Sequence, residues 1–258
     1  MKSKNILIKI LGSGTSTGVP LVGCNCNVCK SNNFKDKRLR TLILVNIDNL
    51  KLLIDTSNDL REQCLKNEIL DIDAVIYTHH HFDHIAGFDD LRAFNFAKNK
   101  SVPIYLMQET LDNLKDVFKY AFSNEPNLSS SPKVNCTIID IEEFSIKDIT
   151  ITPIPLLHGN MRVNGYRIQN FAYCTDCNVI SEDSIQKLQN LDILILDGLR
   201  YSKHPTHFSI NESIEIAKKL NANKTFLTHI SHDVSHQITE NELPENIYLA
   251  YDGLELKL

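Results

Sequence analysis

An α/β fold of two mixed β-sheets with helices on the outer faces is what this sequence predicts, and three observations predict it. Short apolar runs rich in Val, Ile, Leu and Thr recur along the whole chain, each bounded by polar or turn residues. Longer stretches with helical spacing are interspersed among them rather than gathered at one end, a pattern that calls for layered sheets and helices. A chain of 258 residues, 42% of them hydrophobic, can bury a large core, and α/β layers of this size are often one domain.

In chain order, strands are expected at NILIKIL, TLILVNI, KLLIDT, DAVIYT, VPIYLM and NCTIIDI, then at ITITPIPL, GYRI, FAYCT, DILILD, KTFLTH and IYLAYDG. These runs are short and rich in Ile, Val, Leu and Thr, which suits strands with little exposed surface. Helices are expected over 58–66, 84–97, 108–121, 181–188 and 210–220, where apolar residues fall three and four apart. The stretch RVNGYRI carries Asn164-Gly165, the commonest pair at the tip of a tight hairpin. The stretch SNEPNLSSSPK, 123–133, reads as a surface loop. No internal repeat is evident, so a single domain over 1–258 is expected.

Charge and leader signals narrow the classes. A formal charge of −5 argues against a general polyanion-binding face, so no stable nucleic-acid partner is expected. The N-terminus MKSKNILIKILGSG has no long apolar region before a small-residue cleavage site, and no run approaches the roughly 18 apolar residues of a membrane span. No membrane partner and a cytoplasmic location are the expectation. The cysteine count of 7, odd and partly clustered, suits a reducing compartment where thiols bind metal or stay free.

The chemistry concentrates in His79-His80-His81-Phe82-Asp83-His84, which follows the strand-like DAVIYT and precedes a helical pattern. Three of its four imidazoles, His79, His81 and His84, and the Asp83 carboxylate are metal donors with little capacity to pack a core. His79 and His81 are two apart, so on extended backbone they share a side and can hold one ion. Asp83 and His84 stand where the chain turns into a helix and can face a second. Asp83 alone would be unremarkable as a helix cap, but four such residues together point to metal.

With the rest of the chain, the run resembles the metallo-β-lactamase superfamily, whose HxHxDH signature is followed by a distant His, an Asp and a last His. Here these are His158 in PIPLLHG, Asp176 in FAYCTD and His229 in KTFLTHISHD, each at the carboxyl end of an apolar run, where ligands converge in α/β sheets. The resemblance implies the αββα sandwich of that family. It also implies that His79, His81 and His158 hold one ion, that Asp83, His84 and His229 hold another, and that Asp176 bridges them with a water or hydroxide. Asp83 is thus a catalytic as well as a metal-binding candidate.

Cys24-Asn25-Cys26-Asn27-Val28-Cys29 forms a second cluster, in an early loop over about 18–40. Three thiolates need a fourth ligand to close a structural zinc site. His232, three residues after His229, is the best candidate; Cys64, Cys136, Cys174, Cys177 and His236 are the others. The early CxCxxC, the LTHxxH segment and the GYRI…AYxTD stretch together resemble the PhnP-type phosphodiesterases, a branch related to the tRNA 3′-end ribonucleases. That resemblance implies one structural Zn²⁺ on Cys24, Cys26, Cys29 and His232. LGSGTSTG, 11–18, is similar to the family's first strand and glycine-rich turn, although it lacks the lysine of a phosphate-binding P-loop.

In DGLRYSKHPTHFSINESIEIAKKL, His207 stands just before Ser209, a helix N-cap candidate, and matches the place of a catalytic histidine that holds no metal in this branch; His204, followed by Pro205, is the alternative. The expected activity is hydrolysis of small, cyclic phosphodiesters by two divalent ions, with imidazole and carboxylate ligands admitting Mn²⁺, Zn²⁺ or Fe. A tRNA-processing ribonuclease would carry a long arm between His158 and Asp176, and only a short segment lies there. Thioester or lactone hydrolysis on the same ligands and a PqqB-like biosynthetic role remain as rival readings. Family members are often dimers, which the resemblance carries to this chain as a homodimer.

Overall fold

The structure is a computed structural model that describes residues 5–123 and 130–258. Residues 124–129, most of the expected surface loop, lie outside the described residues. Contacts between Cα atoms divide the chain into two compact units. One holds 5–11, 42–123, 130–140 and 255–257; the other holds 12–41, 141–254 and 258.

The first unit is built on β1 (Ile6–Gly12), β2 (Leu42–Ile47), β3 (Leu50–Ile54), β4 (Ala74–Ile76), β5 (Val102–Leu106) and β6 (Val134–Ile138). Together with the last strand, Glu255–Lys257, they form one mixed sheet in the order Glu255–Lys257, β1, β2, β3, β4, β5, β6. The β2–β3 pair is antiparallel, whereas β3–β4, β4–β5 and β5–β6 are parallel. The three parallel pairs need crossovers, and helices Leu60–Lys66, Leu91–Lys98 and Gln108–Val117 supply them. An apolar cluster of Leu42, Leu53, Val75, Tyr77, Phe88, Leu91 and Ile104 lies beneath them.

The second unit has its own mixed sheet of β7 (Phe144–Ile146), β8 (Ile149–His158), β9 (Met161–Ile168), β10 (Phe171–Cys174), β11 (Val179–Ile180), β12 (Ile193–Asp197), β13 (Lys224–Thr228) and β14 (Ile247–Leu249). Its order is β11-β8-β9-β10-β12-β13-β14, with β7 paired to β8. The antiparallel meander β8–β9–β10 gives way to parallel pairing across β10, β12, β13 and β14. Helix Ile210–Leu220 crosses from β12 to β13 and begins at a capping box: Ser209 caps Glu212 N, and the Glu212 carboxylate accepts from Ser209 N. The predicted two mixed sheets with helices are therefore observed.

Several elements differ from expectation. Asn164-Gly165 is not a turn: β8 and β9 meet at Gly159 and Asn160, and His158 pairs with Met161. Gly165 sits inside β9, where a Cβ would meet Tyr173 O at 2.8 Å, so the glycine answers to crowding across the strand pair. The expected helix 84–97 is broken into Phe82–Ile85, a 3₁₀ stretch Ala86–Asp90 and Leu91–Lys98. Helix His236–Glu242 and the strands Phe144–Ile146, Val179–Ile180 and Glu255–Lys257 have patterns too short to be read from sequence.

The break in the helix has a cause. Gly87 N donates to Thr56 O, Thr56 N donates to His84 O, and a Cβ on Gly87 would stand 2.2 Å from Ser57 O. This close approach presses the turn after His84 onto the segment that follows β3. Gly87→Ala should lower the melting temperature, with a cost of about 1–3 kcal/mol. Thermal unfolding that matches the parent would show that the close approach is relaxed at no cost.

Candidate metal centre

In the first unit the histidine run continues β4. Ala74, Val75 and Ile76 are buried in the sheet, and Tyr77 and Thr78 carry the chain to His79 at its carboxyl end. His81 occupies the N-cap position of the helical turn Phe82–Ile85, which places Asp83 in the first turn and His84 one residue further. His81, not Asp83, therefore holds the cap position, and the Asp83 carboxylate is not the helix cap. The rings of His79 and His81 lie 4.7 Å apart, those of His79 and His84 4.2 Å apart, and His84 Nε2 is 3.4 Å from Asp83 Oδ2.

The orientation of these rings comes from a residue the sequence reading missed. Asp55 follows β3 with φ 74° and is fully buried. Its carboxylate accepts from Thr78 N at 2.7 Å, from Thr78 Oγ1 at 2.9 Å and from His84 Nδ1 at 2.8 Å. Thr78 Oγ1 lies 3.0 Å from His79 Nδ1 and has a lone pair for that N–H. Burial pushes the Asp55 carboxyl up, while His84 and Thr78 oppose it. With Nδ1–H donated inward on both rings, Nε2 keeps its lone pair for a metal.

In the second unit His158 ends β8, Asp176 follows β10, His229 follows β13 and His207 precedes the capped helix. His158 Nδ1 lies 2.7 Å from Thr206 O, an atom that only accepts, so Nδ1 carries the proton here too. Burial pushes the His158 imidazolium down, partly opposed by Asp176, which favours the neutral ring a metal requires. Thr175 Oγ1 donates to Asp176 Oδ1 at 2.7 Å, and His229 Nε2 stands 3.2 Å from Asp176 Oδ2. The His207 ring stacks on His229 and meets His158 edge-on, each at 4.6 Å. Asp197, the last residue of β12, is a second missed carboxylate: its Oδ2 accepts from His207 Nδ1 at 2.7 Å and from Cys177 N at 2.8 Å. Asp176, Asp197, His207 and His229 present donor atoms all within 4.8 Å of one another. Asp197 is taken up by His207 and Cys177 N, so in this unit it is the buried Asp176 carboxylate with His158 and His229 that offers donors a divalent cation fits. His204 is set back: its Nδ1 lies 3.2 Å from Thr206 Oγ1 and its ring 5.2 Å from that of His207.

The thiol loop lies within the second unit. The Sγ atoms of Cys24 and Cys26 are 3.4 and 3.5 Å from His232 Nδ1, and Cys29 completes a group whose donors all lie within 4.8 Å. A tetrahedron with Zn–S of about 2.3 Å and Zn–N of about 2.0–2.1 Å has an S···N edge of roughly 3.6 Å, so the four side chains fit zinc as they stand. Cys26 N donates to Cys24 Sγ, Cys29 N to Cys26 Sγ and Leu21 N to Cys29 Sγ. The Cys29 N–H and His232 lower the Cys26 thiol to about 6, the form a metal takes. The other candidates for fourth ligand stand elsewhere: Cys174 and Cys177 are packed in the apolar cluster, and the His236 ring stands against Tyr251.

Comparison with known proteins places this geometry. The model of the β-lactamase superfamily domain matches residues 51–230. The chain belongs to that superfamily, whose fold and metal-donor clusters make it a metal-dependent hydrolase. A solved structure described as a new diphosphatase from the PhnP family is 42% identical, with a TM-score of 0.93 over 98% of this chain and 97% of that one. Within the superfamily, this chain is a member of the PhnP family. Zinc-bound PqqB from Methylobacterium extorquens, 21% identical with a TM-score of 0.80, covers 98% of this chain and 100% of its own and shares the fold. A Porphyromonas gingivalis protein named octanoyltransferase is 39% identical over 249 residues, 95% of this chain. The chain spans 50% of that relative's length. Among the described residues no helix is long and apolar enough to cross a membrane.

The thiol loop has little apolar packing of its own, so metal removal there should cost structure. Cys26→Ser should reduce the zinc content by about one ion per chain and lower the melting temperature. Elemental analysis that finds unchanged zinc in the variant would place the structural site elsewhere.

Proposed function

We propose that this chain hydrolyses small, cyclic phosphodiesters to phosphomonoesters, using two divalent ions. His79, His81 and His158 would hold one ion, Asp83, His84 and His229 the other, and Asp176 would contact both; Mn²⁺, Zn²⁺ and Fe all suit such donors, with a separate Zn²⁺ on Cys24, Cys26, Cys29 and His232. When bound, the ions supply Lewis acidity that activates water and neutralises the phosphoryl oxygens.

The observation that carries the reading is the pair His207–Asp197. His207 lies among the donor-bearing rings, and its Nδ1 is held at 2.7 Å by a buried carboxylate. That tether directs Nε2 toward the reacting group and stabilises the imidazolium, so His207 can give its Nε2 proton to the departing alkoxide. A leaving alkoxide from phosphorus needs that proton far more than a thiolate from a thioester does. Between His158 and Asp176 run β9 and β10 and no arm for tRNA, which supports a small substrate.

Acyl transfer, the activity in the name of the Porphyromonas gingivalis relative, finds weaker support. A transferase of this kind needs an activated nucleophile. Burial pushes the thiols of Cys64 and Cys174 up to about 12 and raises those of Cys177 and Cys136, while the one lowered thiol, Cys26, belongs to the zinc loop.

The test is turnover by metal-loaded protein on 2′,3′-cyclic nucleotides and bis(p-nitrophenyl) phosphate beside thioesters and lactones. Diester hydrolysis is expected; efficient opening of thioesters or lactones with inert diesters would overturn the reading. His207→Ala should keep its metals yet lose roughly 10²–10⁴ in turnover of the cyclic substrates, and less with nitrophenolate as leaving group, which needs little protonation. Equal losses on both substrates would remove His207 from the role of acid.

A further inference from the structure

Arg38 is a buried cation outside both donor clusters. Its side chain is fully shielded, and burial lowers its guanidinium to about 10 against the opposing pull of Asp36 and Asp252. A cation is placed there at a cost, and its bonds show what it holds. Arg38 Nη1 donates to Ser231 O at 3.2 Å, and Nη2 donates to Val234 O at 2.9 Å and to Asp36 Oδ1 at 3.2 Å. These two carbonyls bracket His232, whose Nδ1 faces Cys24 and Cys26. Asp36 Oδ1 also accepts from His236 N at 2.8 Å, fixing the far end of the same turn.

The backbone of Arg38 reaches the other side of the thiol loop. Arg38 N donates to Val19 O and Val19 N to Arg38 O, both at 2.8 Å, on the segment that leads into Cys24. Gly14 packs so closely that a Cβ there would lie 2.9 Å from Arg38 Cβ. The Gly14 segment in turn pairs with the residue after His229: Ile230 N donates to Ser13 O, and Thr15 N to Ile230 O. One residue therefore touches the entry to the thiol loop, the turn carrying His232 and the Gly14 segment that pairs beside His229.

We propose that Arg38 is a positioning residue that couples the thiolate zinc site to His229, so that zinc bound by Cys24, Cys26, Cys29 and His232 sets the orientation of a catalytic metal ligand. This rests on the reading of His229 as such a ligand. Removing the guanidinium takes the charged donor from Val234 O and leaves Ser231 O and the Asp36 carboxylate each with one donor fewer, and the turn between Ser231 and Val234 relaxes to find other partners. The thiol site and His229 then no longer move as one piece.

The test is a double-mutant cycle between Arg38→Gln and Cys24→Ser, read as the Kd of cobalt(II) at the imidazole–carboxylate sites, with thiolate-to-cobalt absorption reporting the cysteine site separately. Each single change should weaken the more weakly held imidazole-site ion by about tenfold, the usual effect of losing a group that orients a ligand. The double variant should be no weaker than the singles. Arg38→Lys, which keeps the charge but not the two-pronged donor set, should fold and show a smaller loss of the same ion. Additive losses in the double variant, or Arg38→Lys and Arg38→Gln both binding cobalt like the parent, would overturn the coupling while leaving the catalytic reading intact. A parent protein that takes up cobalt only at the thiols would overturn both.

Discussion

The structure depends on tethered imidazoles. An imidazole can serve a metal or a proton only if one nitrogen is free and aimed, and a buried ring left to rotate does neither. Here His84 donates Nδ1–H to Asp55, His158 to Thr206 O and His207 to Asp197, each at 2.7–2.8 Å. Asp55 and Asp197 are both fully buried, each where a core strand gives way to the following segment. The strands position carboxylates; the carboxylates position rings; the outward nitrogens are what remain for chemistry.

The same constraint explains the local backbone. Asp55 and His229 both adopt positive φ, which a non-glycine residue takes up at a cost that surrounding contacts must offset. Asp55 is held by three hydrogen bonds to its carboxylate, and His229 lies beside Asp176. Gly87 permits the close approach that brings His84 to Asp55, and the capping box at Ser209 anchors the segment that carries His207. Each of these four features lies where it turns a donor toward its neighbours.

Much of this was legible in the sequence because its donors are written contiguously. His79, His81, Asp83 and His84 fall within six residues, and Cys24, Cys26 and Cys29 within another six, so spacing alone marks them. The strands that lead to His158, Asp176 and His229 were readable as apolar runs with a donor at the end, although their order in the sheet was not. The tethers were not. Asp55 meets His84 across 29 positions and Arg38 meets Ser231 across 193, and a carboxylate ending KLLID or an arginine in KDKRLR has the look of a solvated surface residue. Asn164-Gly165 misled for the opposite reason. A local turn signal was strong, but the glycine serves cross-strand packing against Tyr173, a demand visible only once β9 and β10 are paired.

The central claim is that tethered rings and Asp176 together hold two ions, leaving His207 to Asp197 and the substrate. Anomalous diffraction from crystals of the metal-loaded protein tests it most directly. The account predicts two peaks that share Asp176 as a ligand, reached through Nε2 of His84 and His158, with His207 outside both coordination shells. A single peak seated among Asp176, Asp197, His207 and His229 would contradict it, because His207 would then be a ligand and Asp197 no longer its tether.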